Sequence, residues 1–339
     1  MTKAVVIGAS GYGGAELARL LTRHPSVTLA GLFVQAGSNA AGKPFSALYP
    51  RFAGEIDEAV QVLDFAVPAK LDADVAFLAL PHEASLELAP KLLAQGLIVI
   101  DLSGAYRLAA EDYPAHYGFA HTEPEALAKA QYGLPEFYAP AIAEANLIAA
   151  PGCYVTAATL ALKPLVEAGL IAEGCAPIVH AVSGVSGAGK TPSAKTHVCE
   201  VSLEPYNVFA HRHQPEMRRY VGAPVLFTPV LGHYKRGILA SCYATVKDGV
   251  TLEQINAAFE NAYGDKPMVR FSATRMPSVG AVEYTSYCDI HAKFDAVTRQ
   301  VAVFSALDNL LKGASSQAVQ AMNVRLGLPQ QTGLTEVCQ

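Results

Sequence analysis

Ala4-Val5-Val6-Ile7-Gly8-Ala9-Ser10-Gly11-Tyr12-Gly13-Gly14 is the stretch that decides the fold class of this chain. Residues 4–7 form a short apolar run of the kind a buried parallel strand carries. Gly8, Gly11 and Gly14 then space a Gly-x-x-Gly-x-x-Gly loop, and Ser10, Tyr12 and Gly13 add backbone donors between them. Glycine lets the backbone turn sharply and approach a pyrophosphate, which rests on the N–H groups of the helix that follows. Leu17, Leu20 and Leu21 supply that helix at helical spacing, and His24-Pro25 closes it. Strand, glycine loop and helix in this order read as the opening βα unit of a dinucleotide-binding sheet.

The end of the next expected strand, residues 27–34, bears on which dinucleotide binds. NAD sites of this type place an Asp or Glu there for the ribose 2′-hydroxyl. Here the chain reads Phe33-Val34-Gln35-Ala36-Gly37-Ser38-Asn39, with no acid, and Lys43 follows. Ser38 and a nearby lysine suit a 2′-phosphate, so the expected cofactor is NADP(H).

Working outward, strands are expected at 75–80, 97–102 and 146–149, with a helix over 83–94 and Gly96 as its C-cap. Strands alternating with helices give a doubly wound parallel sheet, a Rossmann-type α/β domain over residues 1–150. After residue 150 the pattern changes. Runs at 178–182, 225–230, 238–246, 282–294 and 300–306 are longer, and several alternate polar with apolar residues. That pattern implies a second α+β domain over 151–308, with a mixed, largely antiparallel sheet covered on one face. Helices are expected over 252–262 and 309–322, and the C-terminal segment 309–339 is expected to return to the first domain.

Bulk properties narrow the class. About half of the 339 residues are hydrophobic (51%), enough for two cores. A net charge of −5 without a long basic run argues against nucleic acid or a membrane surface as partner. No apolar stretch reaches the roughly 18 residues of a membrane span, and no secretory leader is expected. The six cysteines, Cys153, Cys175, Cys199, Cys242, Cys288 and Cys338, form no Cys-x-x-Cys pair. A zinc site is therefore not expected, and a cytoplasmic enzyme with reduced thiols is.

One of those thiols stands apart. In Ala150-Pro151-Gly152-Cys153-Tyr154-Val155 the cysteine follows a Pro-Gly turn and opens a run with Ala157, Leu160, Ala161 and Leu165 at helical spacing. A helix N-terminus favours negative charge and lowers a cysteine pKa from its usual value of about 8.5. A thiolate nucleophile needs a proton partner. His211-Arg212-His213-Gln214-Pro215-Glu216 offers one: His213 as general acid/base, with Glu216 three residues on to orient its ring, and His211 as the alternative. Ser183-Gly184-Val185-Ser186-Gly187-Ala188-Gly189 is too rich in glycine for a core element and reads as a loop closing over cofactor or substrate. Arg107, in Asp101-Leu102-Ser103-Gly104-Ala105-Tyr106-Arg107, and Arg236 are candidates to hold a substrate carboxylate or phosphate.

These motifs, in this order and with Asp308-Asn309-Leu310-Leu311-Lys312-Gly313-Ala314 near the end, resemble the N-acetyl-gamma-glutamyl-phosphate reductases and, more distantly, the aspartate-semialdehyde dehydrogenases. The resemblance runs from Met1 to about Gly327. It implies NADPH-dependent reduction of N-acetyl-glutamyl 5-phosphate to the semialdehyde in arginine biosynthesis. Cys153 would be the nucleophile and His213 the acid/base. Asn309 would lie near the nicotinamide, with Ser183 and Gly184 approaching the cofactor. Relatives commonly form dimers or tetramers, so a homo-oligomer acting on a small-molecule substrate is expected. The nearest alternative is the same chemistry on another acyl phosphate, such as aspartyl phosphate. A cysteine hydrolase built on Cys153, His213 and Glu216 would have no use for the glycine loop. A dinucleotide sensor without catalysis would have no use for the cysteine.

Overall fold

The protein is described here as a computed structural model covering residues 1–335; Cys338, expected to serve packing, lies outside the described residues. The chain divides into two units. Met1–Gly152 and the residues from Ala314 onward make the first, and Cys153–Gly313 the second. No helix among the described residues is long and apolar enough to cross a membrane.

The first unit is built on a parallel sheet of seven strands. β1 (Thr2–Ile7), β2 (Val27–Gln35), β3 (Gln61–Leu63), β4 (Val75–Leu78), β5 (Ile98–Asp101), β6 (Gln131–Tyr132) and β7 (Leu147–Ala149) lie in the order β3-β2-β1-β4-β5-β7-β6. β1 and β4 are apolar and fully buried over residues 4–7 and 75–78, as strands covered on both faces must be. Helix α1 (Tyr12–Thr22) follows β1, α2 (His82–Ala94) follows β4, and α3 (Pro135–Glu144) precedes β7. Strand order reverses between β1 and β4. That is where an open sheet leaves a ligand crevice at its carboxyl ends. The two short pairing segments β3 and β6 escape the sequence pattern because three and two residues carry no period.

The helix Ser316–Arg325 completes this unit by packing on α1 and α3. Its buried face is polar. Gln320 donates to the Glu136 carboxylate at 2.9 Å, and Asn323 donates to Thr332 O at 2.9 Å and meets His24 Nε2 at 3.0 Å. The single helix expected over 309–322 is therefore two pieces: a π-helical turn, Leu311–Ser315, and this helix.

The second unit carries a mixed sheet in the order β12-β13-β14-β11-β8-β10-β9. Its strands are β8 (Ile178–Gly184), β9 (Glu204–Pro205), β10 (Leu226–Gly232), β11 (Ile238–Thr245), β12 (Val269–Phe271), β13 (Cys288–Asp295) and β14 (Gln300–Leu307). Four of its six pairings are antiparallel: β9 with β10, β8 with β11, β11 with β14 and β13 with β14. Along β11, Ile238, Ala240, Cys242 and Ala244 are buried while Tyr243 is 40% exposed. Helices α4 (Cys153–Glu167) and α6 (Leu252–Tyr263) pack against the strands, and α5 (His213–Val221) packs on α4. From Tyr154 to Leu165 nearly every side chain of α4 is buried, the signature of a helix enclosed by its own unit. Pro164 has no N–H to give the Leu160 carbonyl one turn back. The Tyr263 hydroxyl fills that gap at 2.6 Å.

One expected strand is overturned in part. Residues 282–287 are not extended: Val279–Val282 is a helical turn and Tyr284 takes a left-handed φ of 62°. The apolar run hid this because its break is made by a tertiary partner, the Asp308 carboxylate, which accepts the Tyr284 N–H at 2.6 Å.

Candidate active site

The glycine loop sits after β1, at the reversal of strand order. Gly8 has φ +94°, and a Cβ there would lie 2.2 Å from the Ala79 carbonyl oxygen. A Cβ on Gly14 would lie 2.3 Å from the Gly8 oxygen. Those two glycines are dictated by close backbone approach; a Cβ at Gly11 would only reach ordinary contact at 3.6 Å. The first helical hydrogen bond of α1 runs from Ala15 N to Gly11 O at 2.9 Å. The N–H groups of Tyr12, Gly13 and Gly14 thus precede the ladder, as an anion-binding helix start requires. A tight, glycine-spaced loop at a helix start fits a dinucleotide pyrophosphate.

Two supports of this loop lie outside its own sequence. Tyr49 donates to Ser10 O at 2.8 Å, from an aromatic cluster with Phe45 and Phe52. Ser315 donates to Gly13 O at 2.9 Å. Neither is legible from the loop's own spacing. Beyond β2, the half-buried Ser38 accepts Ala40 N at 3.3 Å through its hydroxyl, and Lys43 is exposed.

The Asp101-Leu102-Ser103 segment proves to be a self-closing turn. Asp101 is fully buried and accepts Ser103 N at 2.9 Å and Ser103 Oγ at 2.7 Å. Burial pushes its carboxyl above the usual range against those hydrogen bonds. Arg107, 5% exposed, donates from Nη2 to Leu102 O at 2.7 Å.

In the second unit, Cys153 is the first residue of α4 and is partly exposed. His213 is the first residue of α5, with Glu216 one turn on; both are buried. The Tyr154 ring joins the two helix starts. It packs edge-on against His213 at 6.1 Å and His211 at 5.8 Å between ring centroids. The Tyr154 hydroxyl donates to Val230 O at 3.2 Å and accepts from the Tyr206 hydroxyl at 3.2 Å. Burial drives both phenols upward, and the charge of Cys153 adds to each shift, which places Tyr154 and Tyr206 within electrostatic reach of the sulfur. Sequence reasoning gave neither tyrosine a role, and Tyr206, some fifty residues from Cys153, carried no signal.

The two histidines differ in kind. His211 Nδ1 accepts the His213 N–H at 3.0 Å, and the rings meet at 4.7 Å. Burial, helped by the Arg212 charge, lowers His211 to about 4. It is therefore neutral near pH 7, with its proton on Nε2.

Asn309 and the Ser183–Gly189 loop come together within this unit. Asn309 Oδ1 accepts Gly237 N at 2.7 Å, and Nδ2 donates to Ser186 Oγ at 3.0 Å. The Ser183 hydroxyl donates to the Gly184 carbonyl at 3.1 Å, and Gly184 leaves no room for a Cβ, which would lie 2.5 Å from Arg236 N. Arg236, a candidate to hold a substrate anion, is 3% exposed, with Nε on Asp308 at 2.5 Å and its guanidinium over the Tyr284 ring at 4.6 Å.

A family model described as the NAD binding domain of semialdehyde dehydrogenase matches residues 3–145, and one described as its dimerisation domain matches 153–309. N-acetyl-gamma-glutamyl-phosphate reductase of Tolumonas auensis is 52% identical, and that of Aeromonas salmonicida 51%, each over 98% of this chain and 100% of its own length. The chain belongs to the N-acetyl-gamma-glutamyl-phosphate reductase family. Among solved structures, aspartate semialdehyde dehydrogenase II of Vibrio cholerae, complexed with ASA, superposes with a TM-score of 0.73 at 18% identity, over 96% of this chain and 98% of that one. The Candida albicans aspartate semialdehyde dehydrogenase with NADP gives 0.68 at 16%, over 96% and 99%. At those identities the likeness is one of fold.

Proposed function

We propose that this protein reduces N-acetyl-L-glutamyl 5-phosphate to N-acetyl-L-glutamate 5-semialdehyde with NADPH, releasing phosphate, in arginine biosynthesis. The observation that carries the reading is full-length identity of about half to reductases of that name, joined to a thiol at a helix start whose next residue, Tyr154, packs on the ring of the buried His213.

Cys153, as thiolate, attacks the acyl carbon, and the C–O bond to phosphate breaks. His213, as imidazolium, gives its proton to the departing phosphate oxygen, and Glu216 orients the ring. The new C–S bond is a thioester, which keeps the carbonyl electrophilic where an oxygen ester would quench it. The Cys153 N–H, at the start of α4, is a donor suited to the oxyanion. NADPH, when bound, supplies the hydride that reduces this carbon. Collapse of the tetrahedral adduct expels the sulfur as thiolate and frees the aldehyde, and solvent reprotonates His213. Gly8, Ser10, Gly11, Tyr12, Gly13 and Gly14 would hold the pyrophosphate, Ser38 with Lys43 the 2′-phosphate, and Ser183, Gly184 and Asn309 the nicotinamide end. Arg107 and Arg236 would meet substrate anions, each with part of its guanidinium already engaged within the protein.

The test is oxidation of NADPH and of NADH, followed by absorbance, with N-acetylglutamyl phosphate and with aspartyl phosphate. Consumption of NADPH with the acetylated substrate at a far higher kcat/KM is expected. Turnover with neither, or a preference for aspartyl phosphate, overturns the reading. Ser38→Asp with Lys43→Glu is expected to move the NADPH-to-NADH ratio toward NADH, and an unmoved ratio puts the 2′-phosphate elsewhere.

We also infer a homo-oligomer, formed through the sheet face on which Tyr243 pairs with Ile178. These two side chains are 40% and 48% exposed on adjacent strands. The match of residues 153–309 to a family model described as a dimerisation domain supports this reading. The described cysteines are all free thiols, which supports a cytoplasmic location. A monomeric mass in solution, or recovery outside the cytoplasm on fractionation, would count against these two inferences respectively.

A further inference from the structure

The Cβ that carries the Cys153 sulfur has a second neighbour besides its own helix. A Cβ on Gly313 would lie 2.8 Å from Cys153 Cβ and 3.2 Å from its Cα. The Gly313 backbone is thus packed directly behind the thiol. Gly313 is placed by Asp308: the Asp308 carbonyl accepts Gly313 N at 2.9 Å and Leu311 N at 3.2 Å.

The Asp308 carboxylate fixes that turn from both ends. Oδ1 accepts Leu310 N at 2.9 Å and Leu311 N at 3.1 Å, closing an Asx-type turn. Oδ2 accepts Arg236 Nε at 2.5 Å and Tyr284 N at 2.6 Å. The residue is 0% exposed. Tyr284 is held in a left-handed conformation that a bulky side chain takes only when its surroundings impose it. Between Asp308 and Gly313 stands Asn309, which pins the Gly237 turn and Ser186. One buried carboxylate therefore sets the segment that backs the thiol and the segment that orders the Ser183–Gly189 loop.

We propose that Asp308 is a positioning residue for Cys153: its carboxylate fixes the 308–313 turn, and Gly313 in that turn sets where the sulfur stands at the start of α4. The proposal rests on the reading of Cys153 as nucleophile, and it touches neither substrate nor cofactor.

Asp308→Asn turns one acceptor oxygen into an amide facing two donors, Arg236 Nε–H and Tyr284 N–H, while leaving the Oδ1 turn available. The readout is the pH dependence of iodoacetamide alkylation at Cys153, followed on that peptide by mass spectrometry in the full-length protein without substrate. Displacement of the sulfur from the helix start weakens thiolate stabilisation, so the alkylation midpoint is expected to rise by about one pH unit. In the same variant kcat is expected to fall on the order of 10²-fold, as misplacement of a reacting group by about 1 Å does, with NADPH affinity unchanged. An aspartate with a merely structural role would lower the melting temperature and leave the midpoint in place. Should Asp308→Asn not fold, Gly313→Ala addresses the same contact by placing a methyl on Cys153, and the same rise is expected. A folded, NADPH-binding variant of either kind with a native midpoint and native kcat overturns the proposal. Retained turnover in Cys153→Ser would instead overturn the reading of the nucleophile, so the two failures are told apart.

Discussion

Cys153→Ser is expected to lose turnover by roughly 10⁴-fold or more while NADPH affinity stays within about twofold of the native protein. Serine is nearly the same size, and Cys153 opens α4 at a partly exposed position, so the fold should accept the change. The chemistry should not. The hydroxyl ionises far above the thiol, so the helix start that favours a thiolate gains little purchase on it. Any ester that did form would also be a poorer hydride acceptor than the thioester. Steady-state NADPH oxidation reads the first expectation, and quenching of protein fluorescence on NADPH titration reads the second. A Cys153→Ser protein that still turns over within tenfold of native would remove the thioester from the mechanism. Joint loss of turnover and NADPH affinity would show that Cys153 serves the cofactor site instead.

What the chain discloses about its fold follows from how local each signal is. β1, the glycine loop and α1 are contiguous, and each needs only its neighbours: an apolar run, glycines demanded by backbone contact at Gly8 and Gly14, and leucines on one face. The mixed sheet is legible for a similar reason, because β11 alternates over eight residues and β14 over its first six. Signals fail where a distant group decides. Residues 282–287 read as strand, yet Asp308 turns Tyr284 left-handed from 24 positions away. The helix expected from Asn309 opens instead as a π-helical turn, Leu311–Ser315, with the Asp308 carboxylate accepting the N–H groups of Leu310 and Leu311 ahead of it. An acceptor side chain that competes for backbone donors is a standing limit on reading periodicity.

The site divides along the same line. Cys153, His213 and Glu216 could be proposed because each stands in a short motif of reactive residue types. Arginines could not be sorted this way. Arg107 and Arg236 read in sequence as candidate anion clamps, and that both are buried with backbone or carboxylate partners is not legible there. Tyr154 and Tyr206 were invisible as a pair, since nothing near Tyr206 announces that its hydroxyl meets that of Tyr154. Tyr49 reaches the glycine loop from 39 residues on, and such couplings exist only once the chain has folded.

His213→Asn is expected to cut kcat by roughly 10² to 10⁴-fold, the usual worth of a positioned general acid/base, whereas His211→Asn is expected to stay within about tenfold. The two residues are separated by protonation and by local geometry. His211 is held near 4 by burial and Arg212, so near neutral pH it has no proton to give as imidazolium and little basicity to take one. Its Nδ1 instead accepts the His213 N–H, a role that an asparagine oxygen two residues before the donor can also fill. The substitution thus removes the ring and keeps the start of α5. A folded-state pKa depressed below the unfolded value of about 6.5 also gives a stability signature. The unfolded chain takes up the His211 proton first, so stability is full above about pH 6.5 and declines as pH falls toward 4. His211→Asn should flatten that decline, as urea unfolding at successive pH values would show. Steady-state kcat of the two variants, measured side by side, reads the expected difference in rate. The reverse pattern, with the larger loss in His211→Asn, would exchange the two roles and make His213 the residue that orients its neighbour.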